Sequence, residues 1–475
     1  MGSSSTELLA KIDNKRLYLP PLRRGLSEDE ETQIADLHLA GVFFTEESQR
    51  FYPEGSLASQ LLGFVNAELH GNYGIEQSYD EDLRGAGGEI LAERDVLGRL
   101  FSASEARPVH NGSNLVLTIE RNVQGFVETA LKKAIETYQA ENGTIVVMDV
   151  ETGAVIAAAS QPDFNPNEYR TLSKEEISRF SNPAVSSVWE PGSIFKTIIM
   201  AAAMDAGVVE PETTGDFANV TFVDGEDIHT AEDKAFGHET MTQVLENSDN
   251  VAMVWVAEQL GNERMHEAIE KFGFGGKLGI DLPGEIGGVL RPVETWRNIN
   301  RATFSFGQGI STTPLQMASA MATLANGGRL MQPHVVAGFS DEEGAMIKVI
   351  EPKIIEPRVI SPETSAKITA MMVSVVENGH GKRARVPGYK IAGKTGTAQI
   401  FRPEEEGGGY YPDQHIGGFG GFFPADKPRF AMIVKLDRPK TVKFAESSAA
   451  PTFGEIAQFM LNYYKIPPTE PSPQP

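Results

Sequence analysis

Apolar and polar positions divide the chain into stretches with two different periods. In "RPVHNGSNLVLTIERNVQGFVETALKKAIETYQA" a strand passes into a helix. Val123, Phe126, Val127, Ala130 and Leu131 recur there at three- and four-residue spacing and form one apolar stripe. In "GTIVVMDVETGAVIAAAS" two β-branched runs flank Glu151-Thr152-Gly153, which predicts a β-hairpin. "PGSIFKTIIMAAAMDAG" predicts a helix entered at Pro191 and Gly192, with an Ala-rich body and a stop at Gly207. "TPLQMASAMATLANGG", from Thr313, predicts a second helix closed by glycines, and "PTFGEIAQFMLNYY" a last one. "YKIAGKTGTAQI" and "RFAMIVKLD" alternate or run apolar as strands do. Residues 6–108 mix charges, glycines and short apolar runs such as "LLGFV", and predict a smaller α+β domain. The whole predicts an α+β chain in which a sheet is flanked by helices.

A chain of 475 residues is too long for one ordinary core, so at least two domains are expected. Acidic residues number 65 against 42 basic, a net charge of −23, which argues against a nucleic-acid partner. There is no cysteine, so disulfides, zinc–thiolate sites and cysteine nucleophiles are excluded. The nine histidines form no recognisable ligand spacing, and no metal or organic cofactor is expected. No apolar run reaches the length of a membrane span. "MGSSS" reads as a cloning scar rather than a signal peptide, and a membrane anchor is expected to have preceded residue 6. The end, 466–475, is Pro-rich and expected to fray.

The stretch "GYKIAGKTGTAQ" carries two incompatible signals. Gly388, Gly393, Lys394 and Thr395 fit the nucleotide-binding P-loop pattern. A P-loop needs a strand before it and a helix after it, whose free N–H groups hold phosphate. After Thr395 the chain reads "GTAQIFRPEEEGGG", where Gly396, Pro403 and the glycine run oppose a helix. The alternative is Lys394-Thr395-Gly396-Thr397 on a strand. Thr395 and Thr397 then share a face and can bind a carboxylate, Lys394 supplies positive charge, and Gly396 leaves no side chain in the substrate's path.

Two further motifs favour the strand reading. In "PGSIFKT", Ser193 and Lys196 stand three apart, so on a helix they share a face. A serine hydroxyl needs a base, and a lysine serves if burial and a second cation keep it neutral. In "ENSDN", Ser248 can relay a proton and Asn250 can donate to an amide carbonyl while holding Lys196. Taken singly, the first is also what a surface Ser and Lys look like, the second an Asx turn or N-cap, and the third an ordinary exposed strand. Together, in this order, they form the S-x-x-K, S-x-N and K-T-G set of penicillin-recognising serine enzymes.

On these motifs the chain resembles the class B penicillin-binding proteins, the monofunctional peptidoglycan D,D-transpeptidases. "FSFGQGISTTPLQMASAMATLANGGRLMQPHVV", "VPGYKIAGKTGTAQ" and "GGFGGFFPADKPRFAMIVKLDRP" look like that family's segments around the third motif. "RFYPEGSLASQLLGFVN" and "GNYGIEQSYDEDLRG" resemble its pedestal domain. The resemblance implies a partial pedestal at 6–108. It implies a transpeptidase domain at 109–465, with an antiparallel sheet flanked by helices and a helical subdomain, and a tail at 466–475. Two departures stand out: the family's anchor and R-G-x-I-x-D-R-N-G segment are missing, and Glu120 replaces the usual Asp of "LTID".

The resemblance also implies the reaction. Ser193 attacks the penultimate D-Ala of a D-Ala-D-Ala stem peptide, Lys196 takes its proton, and Ser248 delivers a proton to the departing D-Ala. The amides of Ser193 and Thr397 hold the oxyanion, and a neighbouring stem's amine accepts the acyl group. β-Lactams are the implied covalent inhibitors, and a membrane glycan polymerase and cell-wall assembly proteins the implied partners. The implied location is the extracytoplasmic face of a bacterial membrane, in division more than elongation. A β-lactamase is the nearest enzymatic alternative. It needs a glutamate-held water, and no E-x-x-L-N element lies between Asn250 and Lys394. A β-lactam sensor and a non-catalytic scaffold are the others.

Overall fold

A five-stranded antiparallel sheet organises the chain from residue 121 to residue 463. The computed structural model describes residues 21–45, 47–94, 100–402 and 404–469. The opening pentapeptide and the last six residues lie outside them. Helix α1 (Arg121–Tyr138) leads into the hairpin of β1 (Asn142–Asp149) and β2 (Val155–Gln161), turning at Gly153 with φ 76°. The remaining strands come from the far end of the chain: β3 (Ala392–Phe401), β4 (Tyr410–Phe423) and β5 (Phe430–Asp437). The order across the sheet is β3-β4-β5-β1-β2.

Both faces of the sheet are covered, which is why "FAMIVKLD" reads as a continuous apolar run. Val146, Met148, Ala431 and Ile433 face one core with the central helices. Ile145, Val147, Met432 and Val434 face the other, under α1 and the closing helix Ala449–Tyr463. Glu120, the family's unexpected residue, still caps α1, its carboxylate accepting from Val123 N at 2.7 Å. The start of the tail is tied down, with Thr469 N donating to Gly388 O at 3.0 Å.

Between β2 and β3 lies the helical part. Its central helix, α2 (Lys196–Asp205), is buried from Lys196 through Met204, as expected for a helix apolar all round. Against it pack α4 (Asn250–Leu260), α5 (Pro314–Ala325) and α6 (Pro362–Glu377), and α3 (Met241–Asn247) packs on α6. The described pedestal residues contain short helices and two-stranded ladders. They meet the sheet-bearing part of the chain at the segment leading to Ser193. Phe64 stacks on Tyr169 with ring centroids 4.3 Å apart and also meets Phe164 and Phe180. Gln60 Nε2 donates to the carbonyls of Pro162 and Arg179, both at 3.1 Å.

Candidate active site

Ser193 sits on a single 3₁₀ turn, Gly192–Ile194, just before α2, and not on the α-helix the sequence predicted from Pro191. The turn is packed from two sides by bare backbone. Gly192 has φ 55° and donates its N–H to Gly307 O at 3.1 Å. A Cβ on Gly307 would stand 2.2 Å from Gly192 O, so the glycines of "FGQG" let that loop lie directly against the turn. From the other side comes β3. A Cβ on Gly396 would lie 2.6 Å from Pro191 O and 2.8 Å from Ile194 Cγ1. This corrects the expectation for Gly396: the missing side chain makes room for the serine-bearing turn, not for a substrate.

Lys196 and Lys394 are both fully buried. Lys196 Nζ donates to Ser248 O at 2.6 Å, to Asn250 Oδ1 at 2.7 Å and to Ser248 Oγ at 3.2 Å. Lys394 Nζ reaches the same hydroxyl at 3.0 Å and its neighbour's carbonyl, Thr395 O, at 3.2 Å. Among the described residues no hydrogen bond joins Lys196 to Ser193 Oγ. Burial, and then the Lys394 charge, hold Lys196 well below the ordinary lysine range, against the opposing pull of Asp249 and Glu239. Burial pushes Lys394 down to about 7, against the pull of Glu446.

Ser248 lies between α3 and α4 in the left-handed region, φ 57° and ψ 42°. Asp249 caps α4, its Oδ1 accepting from Ala252 N at 3.0 Å. The N-cap reading of "SDN" is borne out at Asp249, and it is compatible with the chemical reading, because capping by Asp249 fixes the residues on either side. Asn250 Nδ2 donates to His229 O at 2.9 Å, leaving its second N–H for another acceptor.

β3 runs straight through Lys394, and among the described residues it pairs only with β4, which leaves its other edge beside the Ser193 turn. A strand through the lysine, followed by more strand, rules out the P-loop geometry. Thr395 is buried and Thr397 exposed. Thr397 Oγ1 accepts from Ala445 N at 3.1 Å, which leaves its own hydrogen to donate.

The penicillin binding protein transpeptidase domain model matches residues 143–458, and the penicillin-binding protein dimerisation domain model matches residues 3–117. The chain belongs to the class B penicillin-binding proteins. It is 35% identical to stage V sporulation protein D of Bacillus subtilis, over 95% of this chain and 69% of that protein. It is 32% identical to the peptidoglycan D,D-transpeptidase FtsI of Escherichia coli K12, over 94% and 73%. The crystal structure of penicillin binding protein 3 from Mycobacterium tuberculosis complexed with ampicillin superposes with a TM-score of 0.80 at 31% identity, covering 90% of this chain and 92% of that one. Among the described residues no helix is long and apolar enough to cross a membrane.

In this penicillin-binding protein the sequence reasoning missed three acidic neighbours of the motifs. Glu190 accepts from Gly309 N at 3.0 Å and from Tyr410 OH at 3.1 Å, tying the start of β4 to the turn before Ser193. Burial raises its carboxyl above the usual range. Asp249, the middle residue of "SDN", is fully buried. Glu239 had no signal at all: it is a lone acid in a polar stretch, and packing alone buries it.

Proposed function

We propose that this protein cross-links peptidoglycan stem peptides as a D,D-transpeptidase, through an acyl-enzyme on Ser193 that β-lactams also form. The observation that carries the reading is the meeting of Lys196, Lys394 and Asn250 around Ser248, next to a serine turn and an open strand edge. A donor stem adds along the free edge of β3 by backbone pairing. Its terminal carboxylate lies by the hydroxyls of Thr395 and Thr397 and the charge of Lys394. Ser193 Oγ attacks the penultimate D-Ala carbonyl and its proton passes to neutral Lys196. The oxyanion takes the N–H groups of Ser193 and Thr397. Asn250 holds Lys196 through Oδ1 and offers its free N–H to the substrate amide.

Collapse breaks the bond to the terminal D-Ala. Its nitrogen takes the hydroxyl hydrogen of Ser248, which is replaced from Lys196. An amine of a second stem then attacks the ester, gives its proton to Lys196, and Ser193 regains its hydrogen. Lys196 has to move from its bonds at Ser248 toward Ser193 Oγ as substrate enters, in keeping with catalytic hydrogen bonds that tighten only in the complex. The substrate is extracytoplasmic, which places the working domain outside a bacterial membrane. The pedestal is the surface for a membrane glycan polymerase and other wall-assembly proteins.

The test is covalent labelling by a fluorescent penicillin. Wild type labels, and Ser193→Ala does not while keeping its melting temperature. Labelling of the Ala variant at the wild-type rate would overturn the assignment of the nucleophile.

A further inference from the structure

Glu239 lies on the strand Gly237–Thr240 that enters α3, and Asp249 stands at the start of α4. Both are almost completely buried, at 2% and 0% exposure. Each has one oxygen accounted for. Asn247 Nδ2 donates to Glu239 Oε1 at 2.5 Å, and Ala252 N donates to Asp249 Oδ1. Each has one oxygen, Glu239 Oε2 and Asp249 Oδ2, buried without a donor among the described residues. Asn247, two residues before Asp249 in the chain, carries the amide that binds Glu239, so the two buried acids meet at the junction of α3 and α4.

Two ionised carboxylates in this arrangement would repel one another and leave two desolvated anionic oxygens unsatisfied. A single proton between them removes both costs, since a protonated carboxyl donates once and still accepts. We propose that Glu239 keeps a proton directed at the unpartnered Asp249 Oδ2, and that this proton sets the pH range over which Lys196 is a free base. This rests on the reading of Lys196 as the base. Neither acid touches the reacting atoms in that scheme, so both are positioning residues.

The surrounding charges support a proton held on Glu239. Burial, the largest influence, and the Asp249 and Glu246 charges raise its carboxyl to about 7, against the hydrogen bond from Asn247. Glu246 is itself held by Ser374 Oγ of α6. On the neighbouring strand Asp216 is paired with His238 in an exposed contact. Among the described residues, the cation that feels both acids is Lys196. With Glu239 protonated, Asp249 alone opposes the loss of a proton from Lys196. Once Glu239 ionises, a second negative charge stabilises the Lys196 ammonium and delays the appearance of the free base to higher pH.

Glu239→Gln is the discriminating variant. Its amide oxygen accepts from Asn247 and its N–H₂ donates to Asp249 Oδ2, copying the protonated acid at every pH. Its second-order acylation rate by a fluorescent penicillin is expected within about threefold of wild type at pH 6 and at least about threefold above it near pH 8.5, because only the wild type gains the second charge. Glu239→Leu keeps the volume, leaves Asp249 Oδ2 unpaired, and is expected to be slower at both pH values. A ratio of Gln variant to wild type that is flat across pH, or a Gln variant more than tenfold slower at pH 6, overturns the proposal. The infrared difference between wild type and Glu239→Gln reads the proton without any acylation. A protonated-carboxyl band at pH 6 that fades as pH rises is expected, and its absence at pH 6 overturns the proposal even where Ser193 labels normally. If instead Ser193 fails to label while the band is present, the base assignment is at fault and the proton on Glu239 stands.

Discussion

Lys196 and Lys394 converge on one hydroxyl: their Nζ atoms lie 3.2 and 3.0 Å from Ser248 Oγ. Two donors on one oxygen fill both of its lone pairs and turn its hydrogen outward. The convergence also sets two buried cations against each other, so the pair cannot hold two protons at neutral pH without large cost.

That cost predicts a trade of stability against activity at Lys394. Its folded-state value of about 7 lies below the ordinary 10.5. Between these two values the unfolded chain binds more protons than the folded one, so stability rises with pH across that window. Lys394→Met removes the penalty. It is expected to raise stability by about 1–2 kcal/mol at pH 7, a gain that shrinks toward pH 10. Acylation should fall roughly 10²-fold, and its acid limb should move to higher pH as Lys196 loses its neighbouring cation. Thermal melts at both pH values and a labelling rate profile check the three outcomes.

Gly396→Ala tests the contact between β3 and the serine turn. The new methyl would meet Pro191 O and Ile194 at under 3 Å. Backbone shifts of this kind cost about 1–3 kcal/mol, and a misplacement of about 1 Å costs on the order of 10²-fold in rate. We expect a loss of more than tenfold in acylation with a fold that survives. An unchanged rate would show that the turn and strand are not held in register by this contact.

Hydrolysis of the ester separates this enzyme from a β-lactamase. A nitrocefin time course at several enzyme concentrations should show a burst near one equivalent and then an almost flat line. Sustained turnover over thousands of equivalents would instead mean that a water is held and activated at the ester.

The P-loop pattern makes its own prediction. ATP with magnesium should leave the melting temperature unchanged, whereas a true ligand at a hundred times its Kd stabilises by about 2.7 kcal/mol. An upward shift abolished by Lys394→Ala would contradict the strand geometry.

Much of this was legible in the sequence because the signals are local. The β1–β2 hairpin, α1, α5 and the closing helix follow from periods and glycines that need no tertiary knowledge. Ser193 and Lys196 belong to one segment, so their spacing alone brings them close. Ser248 and Lys394 are 146 positions apart, and only the order of motifs hinted that the fold would join them. Gly396 was misread because an empty position on a strand looks the same whether a substrate or another backbone fills the space. The 3₁₀ turn at Ser193 escaped because propensity does not separate the first turn of an α-helix from a tighter one. Glu239 escaped because burial of a lone acid is decided by what packs over it.

The left-handed backbone at Ser248 bears on how this protein drifts under mutation. A glycine codon is one nucleotide away from some serine codons, and glycine would relieve about 1 kcal/mol of backbone strain there. The same exchange deletes the hydroxyl that both lysines hold. A library screened only for thermal tolerance would therefore enrich Ser248→Gly and accumulate well-folded proteins that lack this hydroxyl. Only growth selection on an intact wall would hold the serine against that slope.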